Sequence, residues 1–146
     1  MMTVADAVSV DLSASDWRAV VLAGGVAFVR SPDYDACGGD VGYASFTVWI
    51  GPVDRPQDAS VDPVDALMRR RVRQGRPEES AAVVAGAPTT RLEYTDGVQR
   101  IHSYFVRRPS GAIIEITLAT HRHPTGQWKV ELESAADDVF GHLRWL

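Results

Sequence analysis

The stretch from Gly86 to Pro124, GAPTTRLEYTDGVQRIHSYFVRRPSGAIIEITLATHRHP, decides the architecture of this chain. Thr90–Thr95, Ile101–Val106 and Ile113–Thr120 are runs of β-branched and aromatic residues, the composition of strands. Asp96 and Gly97 mark a turn between the first two. Pro109, Ser110 and Gly111 form a tip across which the second and third pair. In the last run Ile114, Ile116 and Leu118 share one face, with Glu115 and Thr117 on the other. The reading is a three-stranded meander.

Downstream the period changes. From about Thr125 the apolar residues Trp128, Leu132, Ala135, Val139, Leu143 and Leu146 recur every three or four positions, which predicts an amphipathic helix. Gly141 weakens its last turn, so the helix is expected to stop before Trp145.

Upstream, Val83 and Val84 read as a strand ahead of the Gly86–Pro88 break. Val8, Val10 and Leu12 alternate with polar residues and predict a short strand with one buried face. Trp17–Leu22 and Val26–Val29 flank Gly24 and Gly25, a dipeptide suited to a tight hairpin. Ser31–Gly42 is dense in turn formers, and Tyr43–Ile50 reads as a buried strand. Asp62 as N-cap and Pro63 at the first helical position predict a helix over Pro63–Gln74, closed by Gly75 and Pro77. Two helices beside several antiparallel strands give an expected α+β fold, an antiparallel sheet with helices packed on it in an α/β/α-type sandwich. The chain reads as a single domain over residues 1–146.

Composition excludes several function classes. A net charge of −4 disfavours nucleic acid as a partner. No run approaches the ~20 apolar residues of a membrane-spanning helix. The single cysteine, Cys37, cannot form an internal disulfide. The acidic N-terminal segment lacks the basic start of a secretory signal, which predicts a cytoplasmic protein.

No catalytic or cofactor motif stands out. His102, Ser103, Tyr104, Asp96 and Glu115 invite a triad, yet His102 and Ser103 are adjacent on one strand and point to opposite faces. His121 and His123 could share a side at a strand end, but no third metal ligand accompanies them. Cys37 has no activating neighbour in sequence, and the Gly pairs precede no phosphate-binding helix. The four tryptophans, Trp17, Trp49, Trp128 and Trp145, read as packing residues. No catalytic residue, metal ligand or cofactor is therefore expected.

Two features suit protein binding instead. Arg69, Arg70, Arg71, Arg73 and Arg76 form a basic run near the end of the Pro63–Gln74 helix. Cations there oppose the macrodipole, and Arg69, Arg70 and Arg73 are also candidates for an acidic partner. Ile113, Ala119, Tyr104 and Val106 are read as lying opposite the Ile114–Leu118 and Ile101–Phe105 sets, so part of a second sheet face is expected to be apolar. Tyr104, Val106 and Ile113 are its candidate partner-binding residues.

The phrase GAPTTRLEY at 86–94, the hairpin HSYFVRRPSGAIIEITLA at 102–119 and the closing amphipathic segment resemble the Mog/PsbP-like superfamily. That resemblance implies a non-enzymatic domain that binds a protein partner through its sheet face or edges. Chaperones of exported polypeptides are among its members. The chain departs from the envelope-located members, for it shows no leader and no lipidated cysteine near its start. The expected function is thus an adaptor or chaperone for a protein partner, an exported or membrane-inserted polypeptide among the options. A ligand-binding protein or enzyme with a pocket at the sheet is the alternative, as is a structural subunit of an oligomer such as a homodimer.

Overall fold

Ten strands and one helix make up the described residues of the computed structural model, which are 2–12, 17–22, 25–30, 45–53, 78–96, 99–121 and 128–146. In chain order the strands are β1 (Met2–Val4), β2 (Val8–Val10), β3 (Trp17–Leu22), β4 (Gly25–Arg30), β5 (Ser45–Pro52), β6 (Glu78–Val84), β7 (Ala87–Asp96), β8 (Gln99–Arg107) and β9 (Ile113–His121). The helix α1 (Trp128–Phe140) and β10 (Leu143–Trp145) complete the chain. Strands β3-β4-β5-β9-β8-β7-β6 form a seven-stranded sheet, and β1-β2-β10 form a smaller one.

The meander predicted from Gly86 onward is β7, β8 and β9. Its last hairpin is set by the register Arg107↔Ile113, and Gly111 at φ 88° turns the tip as only glycine does readily. The break at Gly86 is shorter than the sequence suggested. Ala85 (φ 47°) and Gly86 (φ 84°) alone connect Val84 to Ala87, and both positive φ values match the twist of a two-residue hairpin. Pro88 belongs to β7, opposite Val83, before the ladder to β8 begins at Thr90↔Phe105. A residue without an N–H is tolerated there.

Every neighbouring pair in the seven-stranded sheet is antiparallel. An odd number of alternating strands leaves the two edge strands, β3 and β6, running in the same direction.

The α+β sandwich with helices packed on the sheet must be corrected. Among the described residues the fold is β-rich, with ten strands against one helix. One face of the large sheet is covered by α1 together with the three-stranded sheet, whose outer strands come from opposite ends of the chain. Short apolar segments at both termini satisfy their backbone groups by pairing with each other, so a second sheet stands where helix was expected. The predicted Pro63–Gln74 helix lies outside the described residues.

The principal core is continuous from Val26 and Phe28 on β4 through Val48, Ile50, Ile114, Ile116 and Leu118 to Leu132, Ala135 and Val139 on α1. Val4, Val8, Val10 and Leu143 join it from the smaller sheet. The single buried face expected of β2 is also corrected: all three of its residues, Ser9 included, are buried. It is the central strand of its sheet. Side chains of this size each contribute roughly 1.5–3 kcal/mol on full burial. A second cluster, Leu92, Tyr94, Ile101, Phe105, Ile113 and Ala119, fills the opposite face, with Val53 against it.

Candidate functional site

The register decides which candidate residues can act together. Tyr104 pairs with Ile116 and Val106 with Ile114, so both lie on the face under α1. Ile113 pairs with Arg107 and packs with Phe105 and Ile101 on the opposite face. The three therefore do not form one surface. All are buried, at 3%, 0% and 5% exposure respectively. Tyr104 stacks edge-on against Phe140 of α1 with ring centroids 5.0 Å apart. Arg69, Arg70 and Arg73 lie outside the described residues, as do His123 and Cys37. His121 ends β9 and pairs with Ser45 and Gln99 in the backbone register.

Burial pushes the Tyr104 phenol above its ordinary value of 10.0, while the neighbouring Arg91 guanidinium pulls it down. The fold therefore favours the neutral phenol. Its contribution to stability is complete below the unfolded value and is lost as pH rises towards the folded one. Denaturant midpoints measured from about pH 9 to about pH 11 should fall for the wild type and fall less for Tyr104→Phe. Parallel curves for the two proteins would remove Tyr104 from the alkaline transition.

Polar side chains inside the large sheet form two separate groups. On the face opposite α1 the Tyr94 hydroxyl lies 3.2 Å from Ser103 Oγ, which lies 2.9 Å from Thr117 Oγ1. Thr117 in turn donates to Glu115 Oε2 at 2.6 Å. This ladder crosses β7, β8 and β9, and Ser103 and Glu115 are 1% and 3% exposed. On the face under α1, His102 is buried, with Nε2 3.8 Å from Glu93 Oε2. Ser103 and His102 thus belong to different faces, and Ser103 is hydrogen-bonded to two hydroxyls. A serine held this way is a rung of a structural ladder. Among the described residues no three metal-ligating side chains converge.

Two tryptophans close the ends of the helix face. Trp17 Nε1 donates to Asp138 Oδ2 at 2.8 Å, with Arg30 above its ring at 4.7 Å. Trp145 Nε1 donates to the Val84 carbonyl at 2.9 Å, with Arg108 4.4 Å above its ring. Trp49 lies over Gly25, where a Cβ would approach its ring to 2.5 Å. These rings are packing residues.

Both faces of the central strands are filled, and exposed side chains of the large sheet lie on the edge strands β3 and β6 and on β7 beside β6, where Pro88 and Thr90 are exposed. On β3, Arg18, Ala19 and Val21 are exposed; on β6, Glu78, Glu79, Ala81 and Val83 are exposed. Val21 and Val83 reach 69% and 64%, and with Leu146 they are the exposed large apolar side chains among the described residues. Sequence reasoning overlooked both edges. Their signal was a charge at one end and an apolar pair at the other, in WRAVVL and EESAAVV.

No helix among the described residues is long and apolar enough to cross a membrane. Compared with known proteins, the chain matches no family model and no curated protein sequence.

Proposed function

We propose that this chain is a non-enzymatic, cytoplasmic protein-binding module that takes an extended polypeptide segment along the outer edge of β6. The observation that carries the reading is the contrast between filled faces and an open edge. Leu92, Ile101, Phe105 and Ile113 are buried on one side and Tyr104, Val106 and Ile116 on the other, whereas Val83 on β6 is 64% exposed. An edge strand presents N–H and C=O groups to any added strand, and alternate side chains supply selectivity. The resemblance to the Mog/PsbP-like superfamily implies binding through a sheet face or an edge. The filled faces of the central strands support an edge as the binding surface. Capture of an apolar segment on the Tyr104, Val106 and Ile113 positions is withdrawn, because Ile113 lies on the face opposite Tyr104 and Val106 and all three are buried.

Val84↔Ala87 closes the two-residue hairpin, so the alternating positions Val83, Ala81 and Glu79 turn their N–H groups outward. Proline at Ala81 blocks strand addition without breaking the β6–β7 ladder. Tagged wild type and Ala81→Pro should be expressed side by side, with thermal unfolding as the control for folding. A defined polypeptide that co-purifies with the wild type and is lost from the variant supports the reading. Equal recovery with the two proteins overturns it, as does the absence of any bound chain, a second untagged copy co-expressed with the tagged one included.

A further inference from the structure

The two edges of the large sheet are complementary to each other. Because β3 and β6 run in the same direction, a second copy displaced along the sheet brings its β3 beside β6 of the first in parallel. The faces of the two sheets then coincide. The ladder fixes which residues share a face. Arg18 is in line with Val29, Thr47 and Ala119, and Glu79 is in line with Leu92, Ser103 and Thr117. Ala119 and Thr117 alternate on one face of β9, so Arg18 and Glu79 belong to the same face.

Placing Arg18 of one copy beside Glu79 of the other fixes every remaining neighbour. Position 20 falls beside Ala81 and position 22 beside Val83. On the other face Ala19 falls beside Ser80 and the exposed Val21 beside Ala82. The alignment joins opposite charges at one end and apolar residues at the other, and no like charges meet. Charges on edge strands ordinarily keep sheets apart. Here they carry opposite signs on one face, two register positions apart, and a second copy shifted along the strand by that amount sets them side by side.

We propose that the outer edge of β6 receives β3 of a second copy of this chain, in parallel, with Arg18 beside Glu79. The inference rests on the reading of β6 as a binding edge and names its occupant. The contact is heterologous: a dimer keeps one free β3, on the first copy, and one free β6, on the second, so association continues past the dimer unless the rotation between copies closes a ring.

Sedimentation velocity of the purified full chain over a concentration series tests this. The weight-average sedimentation coefficient should rise with concentration for the wild type. Arg18→Glu and Val83→Lys should each abolish the rise, and the exchange of Arg18→Glu with Glu79→Arg in one chain should restore it. Thermal unfolding of each variant is the control for folding. A single species at all concentrations overturns the proposal. So does an Arg18→Glu variant that associates like the wild type, the result expected if β6 pairs with β6. A charge exchange that stays dissociated while folded overturns it too. If the wild type is a single species yet loses a bound polypeptide on Ala81→Pro, self-association falls while edge binding stands.

Discussion

Replacing Leu132 with alanine is expected to lower the unfolding free energy by about 2–5 kcal/mol, the range for removing most of a fully buried aliphatic side chain. Leu132 has no exposed surface and belongs to the core that α1 shares with β4, β5, β9 and the smaller sheet. Ala135, Ala136 and Val139 complete its stripe at 0%, 3% and 0% exposure. The neighbouring alanines are too small to move into the vacated volume, so the cavity persists and the cost lies above simple transfer. Ser134, exposed on the other side of α1, is the control: Ser134→Ala should stay within about 0.5 kcal/mol of the wild type. Urea unfolding measures both. A loss below about 1 kcal/mol for Leu132→Ala would show that α1 is not docked on the sheet.

The same stripe shows what the sequence could and could not reveal. Leu132, Ala135 and Val139 were legible because a docked helix repeats its contacts every three or four residues. Leu143 kept the spacing but is not helical. The helix stops at Phe140, where Gly141 N–H still bonds the Asp137 carbonyl at 3.1 Å and His142 Nδ1 lies 2.7 Å from the Asp138 carbonyl. Leu143 then enters the same core as part of a strand, so periodicity alone could not mark the change. Leu146, the last residue of the supposed stripe, is 66% exposed. Its backbone N–H bonds the Ala7 carbonyl near the start of the chain, a contact no local pattern announces.

Alternation within a strand was equally legible, and register between strands was not. That His102 and Ser103 oppose each other follows from adjacency. That Tyr104 shares a face with Ile116 depends on the loop from Arg108 to Ala112, closed by Arg108 N–H to the Ala112 carbonyl at 2.8 Å. A shift of one residue there exchanges the faces of all of β9 relative to β8. The candidate surface of Tyr104, Val106 and Ile113 failed on that point. The edges escaped notice for a related reason: exposure of Val21 and Val83 follows from strand order, which places β5 beside β9 and leaves β3 and β6 outermost.

Thr117→Val should cost about 1–3 kcal/mol even though valine matches threonine in shape, because the loss is of hydrogen bonds and not of packing. Thr117 has one hydroxyl proton, and Glu115 Oε2 at 2.6 Å takes it in a short, charge-assisted bond. The Ser103 hydroxyl, 2.9 Å away, must then donate to Thr117, and the Tyr94 hydroxyl must donate to Ser103 at 3.2 Å. A carboxylate on β9 thereby sets the direction of a ladder across three strands. Valine at 117 removes a donor from Glu115 and an acceptor from Ser103 at once, both in buried surroundings. Ser103 can turn its proton elsewhere, so the larger part of the cost falls on the carboxylate. Glu115→Gln weakens the same bond from the other side, and the two changes should be less than additive by about 0.5–3 kcal/mol in a double-mutant cycle. Equilibrium unfolding of the four proteins at neutral pH measures the coupling. Strict additivity would mean that Thr117 and Glu115 act independently, and the ladder would then be two unrelated contacts.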